Sequence, residues 1–193
     1  MLGTICTQIL DQLESSDRTQ GRALTIVETG TAYIMNLEKG EQDLRERSTV
    51  AIAQWCKQQR RKTVFYSIDI SEKHQDACGA KLQELGLRDY VQFLRGDSRA
   101  MLGSVPESFF DFVLLDADSG GQTTLEEYKI VYSKVRQPGV VVVDDAFKDK
   151  SVNKAQFVMP LAYQQGRGIT EFYRQAVAIS FDADEIVRAA RAY

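Results

Sequence analysis

Two runs decide the fold: FDFVLLD, from Phe110 to Asp116, and GVVVVDD, from Gly139 to Asp145. Each passes abruptly from aliphatic residues to carboxylates. Unbroken aliphatic runs are the pattern of parallel strands covered by helices on both faces, because neither face meets water. Between them Leu125, Tyr128, Val131, Tyr132 and Val135 recur at spacings of three and four and so share one helical face. Pro138 and Gly139 are expected to end that helix. Strand, helix and strand in this order make a right-handed parallel unit, which places Asp116 and the pair Asp144, Asp145 at one sheet edge. In open α/β sheets ligands bind at that carboxyl edge. One aspartate there reads as a helix cap, whereas three converging on one crevice read as a site.

Working outward, residues 2 to about 16 place Ile5, Ile9 and Leu13 four apart, an amphipathic helix able to cover the sheet or a second copy in a homodimer. ALTIVE, Ala23 to Glu28, is the first strand and stops at Thr29, Gly30 and Thr31. The next helix is expected at Ser48, as an N-cap before TVAIAQWC with Val50, Ala53 and either Trp55 or Cys56 inward. The interval before it far exceeds the roughly 2 to 6 residues such connections need, so Ala32 to Arg47 is expected to be a lid. TVFYSID, Thr63 to Asp69, is the second strand. Ser71 caps a helix with Cys78, Leu82 and Leu85 on one face, stopped by Gly86. YVQFLRGDS, Tyr90 to Ser98, is the third strand. After Asp145, Phe157, Val158, Leu161 and Ala162 suggest a helix, ITEFY and QAVAISF two closing strands, and Asp182 with Glu185 a capping box. The single histidine, His74, and Trp55 read as surface and core residues respectively.

At 193 residues the chain suits one α/β domain. Lys plus Arg number 24 against 27 Asp plus Glu, a net charge of −3, so no broad basic field draws it to nucleic acid. No apolar run is long enough to span a membrane, and the first residues lack a basic n-region and cleavage site, so a cytoplasmic protein is expected. Cys6, Cys56 and Cys78 are far apart and outside any CxxC spacing, so they read as reduced packing residues.

Each of the first five strands ends in a carboxylate: Glu28, Asp69, Asp97, Asp116, and Asp144 with Asp145. A mononucleotide site explains this economically. An acid after the second strand can accept both ribose hydroxyls, since a carboxylate offers two acceptor oxygens side by side. Gly30 allows close backbone approach to a ligand. Asp97 and Ser98 are placed either to address an adenine amino group or to cap a helix. A dinucleotide loop GxGxxG would need glycines at Ala32 and Met35, so a ligand without a pyrophosphate is preferred.

In order, VETGT, YSIDIS, FLRGDS, FDFVLLDADS and PGVVVVDD resemble class I S-adenosylmethionine-dependent methyltransferases, most closely the small O-methyltransferases related to catechol and caffeoyl-CoA O-methyltransferases. The resemblance covers roughly residues 24–147. It implies a Rossmann-like three-layer α/β sandwich whose mostly parallel seven-stranded sheet has an antiparallel last strand. By position, Glu28, Gly30 and Thr31 would line the methionine moiety of S-adenosylmethionine, Asp69 the ribose, and Asp97 with Ser98 the adenine, with Ile70 also expected at the cofactor. Asp116, also expected at the cofactor and in catalysis, falls with Asp144 and Asp145 on the family's divalent-metal ligands, where the last position is more often Asn. VETGTAY lacks the usual second glycine, which leaves cofactor contacts there to Arg45, Arg47 or Ser48. Ser119 stands where the family often has its general-base Lys.

Methyl transfer from a sulfonium needs an acceptor oxygen in line with the methyl carbon, so positioning supplies much of the rate. Mg²⁺ suits three carboxylates and would lower the pKa of a bound hydroxyl on a small-molecule acceptor. Two rivals stand beside this: a catalytically silent nucleoside-binding protein on the same fold, and an aminopropyltransferase, whose glycine-rich signature is absent.

Overall fold

A computed structural model describes residues 1–32, 34, 44, 46–117, 121–147, 153–173 and 175–192. The strands are β1 (Leu24–Thr29), β2 (Thr63–Asp69), β3 (Gln92–Arg95), β4 (Phe110–Leu115), β5 (Val135–Val143), β6 (Gly168–Phe172) and β7 (Ala176–Phe181). They form one seven-stranded sheet in the order β3-β2-β1-β4-β5-β7-β6. The pairs β1–β2, β2–β3, β1–β4 and β4–β5 are parallel, and only β7 runs antiparallel to both its neighbours. The sheet is the one the resemblance implies.

The helices among the described residues are α1 (Leu2–Ser15), α2 (Ser48–Gln58), α3 (Glu72–Glu84), α4 (Ser98–Gly103), α5 (Gly121–Val131), α6 (Ala155–Gln164) and α7 (Asp184–Arg191). Alternate strand residues face two separate apolar layers. Ile26, Phe112, Leu114, Val140 and Val142 pack with α1, α2, α3 and α7. Val27, Val113, Leu115, Val141 and Val143 pack with α4, α5 and α6. Every residue of β4 is buried, which is why its sequence shows no alternation. The apolar face of α1 lies on its own chain's sheet, with Ile5, Cys6, Ile9, Leu10 and Leu13 buried. Trp55 and Cys56 are both inward, and the Trp55 indole N–H donates to Asp11 Oδ1 at 2.7 Å, pinning α2 to α1. Burial pushes the Cys56 and Cys78 thiols up, to about 11 and about 12, so they stay protonated as packing residues.

Several boundaries differ from expectation, each for a local reason. The helix after β4 ends at Val131, and Val135 already belongs to β5. Pro138 and Gly139 therefore sit inside a strand, at an irregularity where Phe110 pairs Val135 but Phe112 pairs Val140, a place where a missing N–H is tolerated. The third strand is only Gln92–Arg95, because a 3-10 turn occupies Arg88–Tyr90 and Asp97 starts a helix. Ser48 is the first residue of α2 rather than a side-chain cap. Asp182 caps nothing: it pairs with Arg18, and Ala183 precedes α7 without a side-chain cap. Most of the expected lid, including Arg45, lies outside the described residues, as does Ser119; Ile34 and Leu44 are buried in the α1–α2 layer.

At the amino end of the sheet, Asp111 is fully buried within β4. Its carboxylate accepts from Arg22, from Arg136 Nη1 at 3.0 Å and from the Thr25 N–H at 2.7 Å. Asp111→Ala strands two guanidinium groups, but both are roughly 30% exposed and can rehydrate. The expected cost is therefore about 2 kcal/mol, below that of a fully buried pair. Urea denaturation checks it; an unchanged midpoint would show that the cluster contributes nothing net.

Candidate active site at the carboxyl edge

The chain runs from β1 outward to β3, then returns to β4 on the other side of β1. The carboxyl ends of β1 and β4 thus flank the topological switch point, where two adjacent connections leave in opposite directions and open a crevice. A cavity of about 590 Å³ lies here, lined among others by Gly30, Thr31, Arg47, Ser48, Asp69, Asp116, Asp144 and Asp145. A second, of about 240 Å³, is lined by Ile70, Gly96, Asp97, Ser98, Arg99 and Thr123. Gly30, Asp69 and Ala117 line both.

Gly30 has φ +84°, and a Cβ there would lie 2.8 Å from the Asp116 carbonyl carbon and 2.9 Å from Ala117 Cα. The close approach that requires glycine is to the chain's own β4 end. The loop is held by Asp69, whose Oδ2 accepts the Thr31 N–H at 2.9 Å and whose Oδ1 accepts the Ser71 N–H at 2.7 Å. His74, expected simply at the surface, brings Nδ1 to 3.4 Å from Asp69 Oδ2 and lines the larger cavity.

Glu28 does not line either cavity. It is fully buried, and its Oε1 accepts from Thr49 Oγ1 and from Ser67 Oγ at 2.7 Å. Ser67 Oγ also lies 2.8 Å from Thr31 Oγ1, and Thr49 Oγ1 accepts the Ala32 N–H at 2.9 Å. Glu28 therefore braces the residues that line the crevice. Burial raises its pKa to about 7, against the pull of the Thr49, Ser67 and Ser48 hydroxyls, and Oε2 has no hydrogen-bond partner.

Asp97 does cap α4, accepting the Arg99 N–H at 2.9 Å, and the Arg99 guanidinium holds its carboxyl down at about 2. Ser98 turns its hydroxyl inward to Glu127 Oε1, while Thr29 Oγ1 donates to Glu127 Oε2 at 3.1 Å. Glu127 is itself 1% exposed. A glutamate on the apolar stripe of α5, beside Tyr128 and Val131, was the available sequence signal for this brace.

The three aspartates converge as expected: one oxygen from each of Asp116, Asp144 and Asp145 lies within 4.8 Å of the others. Asp145 has φ +49°, a conformation that Asp and Asn tolerate better than other L residues. Gln175 Nε2 donates to Asp144 Oδ1 at 2.7 Å. Burial first, then the Asp144 charge, raise the Asp116 pKa to about 7, and burial likewise raises Asp144. The residue that sequence reasoning missed is Lys154, one residue before α6. Its side chain is 1% exposed, and its ammonium donates to Asp116 Oδ1 at 2.7 Å and lies 3.9 Å from Asp145 Oδ2. Donor type and spacing suit a hard divalent cation, but a fixed positive charge already stands among the donors.

A family model described as a methyltransferase domain matches residues 47–146, just over half of the 193-residue chain. A search of curated proteins gives no match. Among solved structures, a candidate caffeoyl-CoA O-methyltransferase from Staphylococcus aureus superposes with TM-score 0.64 at 15% identity, covering 93% of this chain and 83% of that one. The O-methyltransferase TomG from Streptomyces achromogenes, in complex with SAM, gives TM-score 0.60 at 18% identity over 92% of this chain and 78% of its own. Cofactor-bound Rv0187 from MTB gives 0.64 at 16% identity over 93% and 79%. These likenesses concern the fold. The matched residues run from the start of α2 through β2, β3 and β4 to the acidic end of β5, most of the elements around the crevice but not β1, and the chain belongs to the methyltransferase-domain family.

Proposed function

We propose that the protein transfers the methyl group of S-adenosylmethionine to an oxygen of a small hydroxylated acceptor. The observation that carries this is the crevice at the β1–β4 switch point, where a ribose-type carboxylate, a side pocket and a cluster of three carboxylates adjoin. Its size is in the range of small-ligand sites.

In this reading Asp69 accepts the ribose hydroxyls, its backbone bonds fixing the carboxylate in place. The adenine enters the smaller pocket, where Ile70, 76% exposed, offers an apolar face and Asp97 and Ser98 form the rim. Thr31, Arg47 and Ser48 face the methionine end, with Gly30 setting the turn and Glu28 bracing it from behind. The acceptor lies beside Asp116, Asp144 and Gln175. Its oxygen attacks the methyl carbon, the C–S electron pair returns to sulfur, and the hydroxyl proton passes to Asp116, which keeps 27% of its side chain open. No described helix is long and apolar enough to cross a membrane, and three free buried thiols fit a cytoplasmic setting.

A second reading adds a divalent cation held by Asp116, Asp144 and Asp145, favoured by their 4.8 Å spacing; when bound it would stabilise charge on the acceptor oxygen. It requires Lys154 to leave the cluster.

Asp69→Ala is expected to weaken S-adenosylhomocysteine binding at least tenfold, since hydrogen bonds to a charged acceptor contribute roughly 1.5 to 3 kcal/mol. Calorimetry with equal affinity in wild type and variant would remove Asp69 from the ligand site.

A further inference from the structure

We propose that the Lys154 ammonium is the resident cation of the Asp116–Asp144–Asp145 cluster, so that this site is closed to divalent metal. The proposal rests on the crevice being the methyl-transfer site and specifies how its acceptor end is neutralised.

A lysine with 1% of its side chain exposed cannot leave its charge unpaired, because an isolated ammonium is strongly disfavoured away from water. The only carboxylates within ion-pair range of it among the described residues are Asp116, at 2.7 Å, and Asp145, at 3.9 Å. Both belong to the cluster. The backbone holds it there too: the Lys154 N–H donates to the Asp145 carbonyl at 3.4 Å, so the connection leaving β5 returns to its own starting point. Ala155, the next residue, is fully buried at the start of α6 and anchors the other side. Asp144, the member without Lys154 in range, is satisfied by the neutral Gln175 amide instead. All three carboxylates thus have a named source of compensation from this chain.

A Mg²⁺-like ion needs oxygens at about 2.0 to 2.1 Å in near-octahedral array, and it would share that space with an ammonium hydrogen-bonded to one of its ligands. Two cations at such separation repel strongly where water is scarce. The lysine cannot step aside cheaply, since its stem is enclosed.

The test titrates Mn²⁺ itself, followed by calorimetry and electron paramagnetic resonance, into wild type, Lys154→Met and Asp145→Asn. Wild type is expected to take up no Mn²⁺ that depends on Asp145 at millimolar concentrations. Lys154→Met, which keeps the unbranched stem but removes the ammonium and so frees the carboxylates, is expected to bind one Mn²⁺ at least tenfold more tightly than wild type. Stoichiometric Mn²⁺ binding by wild type that Asp145→Asn abolishes would overturn the proposal, as would equal Mn²⁺ affinity in a folded Lys154→Met. Should Lys154→Met fail to fold, the wild-type and Asp145→Asn comparison decides alone. S-adenosylhomocysteine binding on the same wild-type sample separates the two levels: its absence refutes the methyltransferase reading, whereas the Mn²⁺ result judges the lysine.

Discussion

Gly30→Ala is expected to lower the melting temperature by roughly 6 to 12 °C and to weaken S-adenosylhomocysteine binding at least tenfold. Two costs add. A left-handed φ of +84° costs an L side chain about 1 kcal/mol, and the new Cβ meets backbone, not a side chain that can swing away. To relieve contacts at 2.8 and 2.9 Å, the ends of β1 and β4 must part, which strains the Asp116 N–H bond to the Thr29 carbonyl at 3.0 Å. Overpacking of that kind adds about 2 kcal/mol. The same parting moves Thr31 and Asp116 on the two walls of the crevice, so affinity falls with stability. Calorimetry and thermal melts that match wild type would show that β1 and β4 do not close on each other at this point.

Glu28→Gln is expected to stabilise the protein at about pH 8 by about 2.5 kcal/mol relative to its effect at about pH 5. The sign follows from the direction of the shift. The folded carboxyl titrates at about 7 where its ordinary value is 4.5, because burial disfavours its charged form. Below pH 4.5 folded and unfolded chains both hold the proton, and the group adds no penalty. Between 4.5 and about 7 the unfolded chain releases its proton while the folded one keeps it, so wild-type stability falls with rising pH. Above about 7 the deficit is complete. Glutamine keeps the shape and the acceptor for Thr49 and Ser67 without a charge, and its amide takes the position where Oε2 has no partner. Burial raises Asp116 as well, and its charge adds to the shift of Glu28, so the difference between the two proteins reports Glu28 together with its coupling to Asp116. Melting curves across this range check it. Parallel pH dependence in the two proteins would mean that water reaches Glu28 and that it does not act as a sealed brace.

The strands were readable because burial on both faces leaves its mark on every residue of a segment, as in β4 and in β5 from Val140 to Val143. The strand ends were readable too. A carboxylate directly after an aliphatic run must leave the sheet at its carboxyl edge, which is how Asp69, Asp116, Asp144 and Asp145 were placed on one side. Local rules misjudged positions whose partner lies far along the chain. Asp182 has capping spacing but meets Arg18. Pro138 looks like a helix stop, yet sits in a strand where β4 and β5 slip register. Glu28 shares the sequence context of a ligand-facing acid, but Thr49 and Ser67 arrive from α2 and β2 to cover it. Lys154 is the clearest case. Nothing in the residues around it marks a buried cation, because burial of a charge is decided by what folds over it; here β4, β5 and α6 enclose an ammonium against carboxylates 38 and 9 residues away. Sequence alone therefore determined the sheet and the acidic crevice, through short-range patterns that each strand carries by itself. Which acids line the crevice and which cation pairs with them was decided only by tertiary structure, because charge compensation depends on distances that close when the layers pack.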